Sequence, residues 1–160
     1  MTRRHERALA AAQRAIDLNP NFALGYFALG ETRVFMGHFA ETLDPMMRCL
    51  RLTPRDPYAS FYVSLIALAH YHLDNYEEAV RYSERALQRR RIYVVLRTLA
   101  ATLGQLGRTD EARSVLAEME QIKPINLKRH WELTCPYADP AHEAHLLDGL
   151  HKAGLTEHFR

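Results

Sequence analysis

Pro20 and Pro54 stand 34 residues apart, and the residues between them read as an apolar helix, a Gly37-His38-Phe39 turn and a second helix ending at Leu52-Thr53. A helix pair repeated at that interval buries its apolar face only by stacking on its neighbours, so the period dictates an array of helix pairs. The join itself, Asn19-Pro20-Asn21-Phe22, closes one helix and opens the next with small and aromatic residues at helical spacing.

The positions inside each unit carry a family pattern. Tyr26, Leu29 and Gly30 give a large residue, then Leu and a small residue three and four positions on. Asp74-Asn75-Tyr76-Glu77-Glu78-Ala79 gives a turn, an aromatic and an Ala near the start of a second helix, and Gly107-Arg108-Thr109-Asp110-Glu111-Ala112 repeats it with Thr109 in place of the aromatic. Ala8, Ala12 and Ala15 occupy the same places before Pro20. On these residues the chain resembles the tetratricopeptide repeat family over about residues 1 to 124. The resemblance implies an all-α, right-handed solenoid of antiparallel helix pairs: a half repeat over 1–20, repeats over 21–54, 58–91 and 92–124, and a terminal helix plus capping helix over 125–160.

Within that frame several segments depart from regularity. Pro45 lies inside the second helix of the first full unit, where a proline costs about 3 kcal/mol. A kink is expected there, or a late helix start with Asp44 as cap and Pro45 as first residue. Arg55-Asp56-Pro57-Tyr58 lengthens the next join by about three residues against the family's period. The join Gln88-Arg89-Arg90-Arg91-Ile92-Tyr93 has neither Pro nor Gly. Residues 59–73 are apolar nearly all round and belong at the centre. In the tail, Asp139 caps a helix with Pro140 at its first position, running to Lys152 and stopping at Gly154.

That tail carries a narrower resemblance. Pro136-Tyr137-Ala138-Asp139-Pro140-Ala141-His142 followed by Leu146-Leu147-Asp148-Gly149-Leu150 is similar to the end of the repeat region attached C-terminally to bacterial class III adenylate/guanylate cyclases. Related bacterial regulators carry similar regions. The resemblance implies a regulatory or interaction module trimmed from a larger bacterial signalling protein, with no cyclase activity.

Composition excludes more than it identifies. A hydrophobic share of 48%, a charged share of 25% and a net charge of +2 give no general attraction to nucleic acid or anionic lipid. Cys49 and Cys135, with no CxxC spacing, indicate neither a disulfide framework nor a zinc site, and Cys49 falls where a small buried residue is wanted. No signal peptide is evident, and the longest apolar run, Phe61 to Leu73, is short of the roughly 20 residues a membrane helix needs. A cytoplasmic location is the expectation.

The resemblance places ligands in a concave groove lined by first helices. The residues expected to face it are Phe27, Glu31 and Phe35 in one unit, Ser64, Leu68 and Tyr71 in the next, then Arg97, Ala101 and Gln105, with Trp131 beyond. Such a lining suits an apolar or amphipathic segment of a protein partner, with Glu31 and Arg97 setting its orientation. It lacks the Lys and Asn set with which co-chaperone members hold a C-terminal carboxylate.

Other chemistry is less well served. His142-Glu143-Ala144-His145 spaces two histidines at i and i+3 rather than the i and i+4 of the metalloprotease helix, and no cofactor or metal is expected. There is no GxSxG, no Cys with an arranged His and no glycine-rich phosphate loop, so no catalytic residue is assigned. Arg89-Arg90-Arg91 and the Arg3, Arg4, Arg7 cluster could contact phosphates, but cations also suit a helix C-terminus. Two further readings stand beside the interaction module: self-assembly into a dimer, and nucleic-acid contact through these arginines.

Overall fold

A computed structural model describes residues 3–122 and 126–156. Among these residues there are nine helices: α1 Arg3–Leu18, α2 Ala23–Met36, α3 Phe39–Leu52, α4 Ala59–His72, α5 Tyr76–Arg89, α6 Tyr93–Gln105, α7 Thr109–Gln121, α8 Leu127–Thr134 and α9 Pro140–Lys152. Consecutive helices from α1 to α7 pack on one another, and the first helices of the pairs, α2, α4 and α6, also pack side by side. The chain is therefore an α-solenoid. The expected repeat end at Lys123-Pro124 and the helix start at Ile125 lie outside the described residues.

The turn inside each pair is built the same way three times. Gly37, Asp74 and Gly107 each adopt a left-handed backbone, with φ of 85°, 58° and 69°. The next N–H in each case reaches back five residues: His38 to Arg33, Asn75 to His70 and Arg108 to Leu103, all at 2.9 Å. This closure satisfies carbonyls that the helix end would leave orphaned, and glycine is the residue it ordinarily requires. Asp74 adopts the same geometry while its carboxylate accepts a hydrogen bond from Tyr76 Oη at 2.6 Å. Asp and Asn tolerate that region better than other side chains.

Small residues then set how closely the helices approach. Ala79, Ala86 and Ala112 are fully buried between neighbouring helices. A Cβ on Gly30 would stand 2.7 Å from Cγ of Met46, so α2 and α3 meet there across a hydrogen atom. As the all-round apolar pattern of residues 59–73 predicts, α4 is central: eleven of its fourteen residues are buried, Ala59 through Tyr71.

The helix α3 does not start late. It runs from Phe39 through Pro45 to Leu52. Pro45 has no N–H to offer the carbonyl of Glu41, one turn earlier. Arg33 on α2 supplies the missing donor, its Nη1 lying 2.9 Å from that oxygen. The lengthened join after Pro54 is held by Asp56, which accepts from Tyr58 N at 2.7 Å and Tyr62 Oη at 3.1 Å. The join lacking Pro and Gly is a short extended step, with Arg90 at φ −157°, ψ 131° and Ile92 at φ −130°, ψ 146°.

In the tail, Asn126 caps α8 and Asp139 caps α9, each side chain accepting a backbone N–H at 2.9 Å. The main packing of α9 is on α6. From there it reaches across to α4 and to the α2–α3 turn, where His142 lies against Gly37 and Phe39. Of the stripe Leu146, Leu147 and Leu150 that the sequence leads one to expect buried, Leu146 and Leu150 are 0% exposed and Leu147 is half-buried.

Candidate functional site

The face formed by α2, α4 and α6 divides into a covered part and an open part. The covered part lies toward the C-terminal ends of the three helices. Ala138 N donates to the carbonyl of Phe35 at 2.8 Å, and Tyr71 Oη donates to the carbonyl of His145 at 2.6 Å. Gln105 Nε2 donates to Asp148 at 3.0 Å, while Lys152 Nζ donates to Gln105 Oε1 at 2.8 Å. Gly104 and Gly149 let α6 and α9 touch backbone to backbone. The tail thus lies on this face as an amphipathic segment would.

A cluster of rings seals that contact. His72 stacks on Phe39 with centroids 4.5 Å apart, its Nε2 is 2.7 Å from Tyr137 Oη, and its Nδ1 is 3.3 Å from Nδ1 of His145. Burial, reinforced by the neighbouring His145 and His142, lowers the His72 pKa to about 3. Burial likewise lowers that of His145, against the opposing pull of Asp74. Two histidine nitrogens meet here, yet no group of three His, Cys, Asp or Glu side chains among the described residues could hold a metal ion. His142 faces the α2–α3 turn instead, and its Nδ1 is buried without a hydrogen bond.

Arg97 is 2% exposed beneath α8. Its guanidinium lies 5.0 Å from the centre of the Trp131 ring and donates to Thr134 Oγ1 at 2.8 Å. Trp131 in turn donates from Nε1 to the Glu143 carboxylate, which ties α8 to α9.

The open part begins at the join of α5 to α6. A cleft of about 460 Å³ there is lined by Phe27, Tyr58, Phe61, Tyr62 and Ile92, with Arg90 as its one charged residue. Phe27 is the hub, its ring centroid 5.9 Å from that of Phe61 and 5.1 Å from that of Tyr62. Phe61 also lines a narrow void of about 40 Å³ with Glu31, Leu68 and Arg97, roofed by Leu133 and Thr134. Beyond it, Glu31, Phe35 and Leu133 border a wider cleft of about 510 Å³ closed by Arg4, His5 and Tyr137. The three share walls and form one furrow.

Comparison with known proteins bears on this geometry. Residues 63–93, which span most of α4, all of α5 and the following join, match the tetratricopeptide repeat model. Among solved structures, the crystal structure of YrrB, a TPR protein with an unusual peptide-binding site, aligns with a TM-score of 0.61 at 22% identity, covering 94% of this chain and 76% of that one. The fold is a tetratricopeptide-repeat solenoid. No curated protein sequence matches the chain.

Within the tetratricopeptide solenoid the ten residues read from the sequence all lie on or against the first-helix face, in different circumstances. Phe27 and Glu31 are half-exposed in the furrow. Phe35, Ser64, Leu68 and Arg97 form its buried floor. Tyr71 and Ala101 are 0% exposed under α9, Gln105 is engaged by Asp148 and Lys152, and Trp131 is buried at the α8–α6 contact. Tyr58, Phe61, Arg90 and Ile92 were not anticipated. For Tyr58, Arg90 and Ile92 the signal was the pair of irregular joins at 53–58 and 88–93, which carry these side chains to the mouth of the cleft, whereas Phe61 lies on α4 itself. Burial pushes the thiols of Cys49 and Cys135 up, so neither is poised as a nucleophile.

Proposed function

We propose that this tetratricopeptide solenoid is a non-catalytic interaction module that binds an apolar or amphipathic segment of a partner protein in the open half of its first-helix face. The observation carrying this reading is the furrow itself. Half of the face is covered by the chain's own amphipathic tail, which supports this mode of contact, and the adjoining half presents Phe27, Tyr58, Phe61 and Tyr62 around a cleft. Concave apolar clefts with few polar groups are where ligands bind, and amphipathic segments anchor in them through large side chains. That YrrB is a peptide-binding protein of the same fold is consistent with it.

The similarity of the 136–155 segment to repeat regions attached to bacterial cyclases supports placing the module in the regulatory part of a larger bacterial signalling protein. Among the described residues no helix is long and apolar enough to cross a membrane; a cytoplasmic setting is part of the same proposal. The test is a display selection of random dodecapeptides on the immobilised chain, with affinities measured by fluorescence anisotropy. Selected peptides are expected to lose at least about tenfold on Tyr58→Ala or Phe27→Ser, the loss typical of an anchoring aromatic. Tyr58 is 66% exposed, so its truncation leaves the fold intact. Failure to enrich any peptide, or full affinity in both variants, overturns the reading.

A further inference from the structure

Arg90 in the open cleft and Glu31 in the void beside it are opposite in sign, and neither has a partner among the described residues. The Arg89-Arg90-Arg91 run separates in the fold. Arg89 ends α5, where a cation suits the helix dipole, and Arg91 forms a bidentate pair with Glu118 of α7. Arg90 alone lines the cleft, and among the described residues no acid pairs with it. Asp56, beside the aromatic wall, is already held by Tyr62 Oη and Tyr58 N.

In the void, Glu31 accepts no hydrogen bond and joins no ion pair among the described residues, and burial raises its pKa. Arg97 borders the same void, held by Thr134 and Trp131, and Arg4 and Glu132 line the wider cleft beyond; among the described residues neither arginine pairs with Glu31. The unpaired carboxylate of Glu31 is half-buried, which is unfavourable in the free protein, and Arg90 is exposed and free to pair, so the two together suit a ligand of complementary charge.

We infer, on the basis of the groove reading above, that the bound segment carries a large apolar side chain flanked by an acidic side chain on one side and a basic side chain on the other. The apolar group sits among Phe27, Tyr58, Phe61 and Ile92, the acid meets Arg90, and the base meets Glu31. Past Phe61 the cleft narrows to the void of about 40 Å³ under Leu133 and Thr134, so only a side chain of the segment reaches toward Glu31 while its backbone stays over the wider cleft.

The probe is the pentapeptide Glu-Gly-Trp-Gly-Lys, blocked at both ends, titrated into isotope-labelled full chain and followed by NMR. Two further peptides replace Glu by Gln or Lys by Ala. Shifts are expected at Tyr58, Phe61 and Ile92. Arg90→Gln is expected to weaken the parent peptide about 3- to 10-fold and to leave the Gln peptide unchanged, while Glu31→Gln does the same for the parent against the Ala peptide. Among the described residues neither has a partner, so both variants are expected to keep the fold.

Peptides that shift the cleft but bind equally well with and without their charges overturn the charge assignment and leave the groove reading standing. No shift at the cleft with any of the three peptides, together with failure of the display selection, overturns both. Concentration-dependent broadening at Ile92 without peptide would show that a second copy of the chain occupies the cleft, which also overturns the inference.

Discussion

Gly104 of α6 and Gly149 of α9 touch through their backbones: a methyl group on Gly104 would overlap the carbonyl oxygen of Gly149 and stand 2.6 Å from the nitrogen of Ala153. Helix propensity alone favours Ala over Gly by up to about 1 kcal/mol. The close approach reverses the sign. Gly104→Ala should lower stability by about 1–3 kcal/mol, measured by urea unfolding, because only backbone can move aside. Gly149→Ala should do likewise, since its methyl would meet Tyr71 Oη and the carbonyl of Ala101 at 2.7 Å. Neutral or stabilising outcomes would mean that α9 is not seated here.

The ring cluster beneath α9 makes the fold sensitive to mild acid. His72 stays neutral in the folded chain down to about pH 3, against an ordinary value of 6.5. The unfolded chain therefore binds a proton below pH 6.5 that the folded chain does not. This histidine's contribution is complete above that value and shrinks as pH falls toward 3, by about 1.4 kcal/mol per unit. Between pH 6.5 and 5 the loss should reach about 2 kcal/mol, with His145 adding to the slope. His72→Gln should flatten the profile of unfolding free energy over that window. An unchanged slope would contradict the burial of His72.

Arg33 and Pro45 should be energetically coupled. Arg33 donates to the carbonyl that Pro45 leaves open. Arg33→Gln should cost about 1 kcal/mol in the native chain, the usual worth of such a hydrogen bond. In a Pro45→Ala background the helix supplies its own donor, and the same substitution should cost close to nothing. A double-mutant cycle by chemical denaturation reads the difference, and strict additivity would refute it.

Arg97 is buried with its Nε unsatisfied and no carboxylate paired with it among the described residues. Its contribution comes from covering Trp131 and from Thr134, weighed against the desolvation of a cation. Arg97→Met, which keeps the volume and removes the charge, should be neutral or raise the thermal midpoint. Arg97→Ala, which opens a cavity under α8, should lower stability by about 2–4 kcal/mol. A large loss in the Met variant would show that the charge itself holds α8.

Local features of this chain were legible in its residues because they depend on neighbours in sequence. Gly37 and Gly107 mark left-handed turns, and Ala79 and Ala112 mark close helix contacts, since each position tolerates little else. Asp139-Pro140 likewise announces the start of α9. The centrality of α4 followed from an apolar pattern with no polar side.

The sequence by itself determined the helices, their pairing and the face on which first helices line up, because period and turn chemistry are local properties. Only the tertiary structure decided which part of that face is open. Tyr71, Ala101 and Gln105 look like Phe27 in pattern, yet α9 covers them and not Phe27, through contacts such as Tyr71 to His145 across 74 residues. Whether a side chain on one face meets solvent or a distant helix is set by where the chain returns, which no local periodicity encodes. The same holds for Arg90 and Glu31: their signs are written in the sequence, and their lack of partners among the described residues is a property of the folded chain alone.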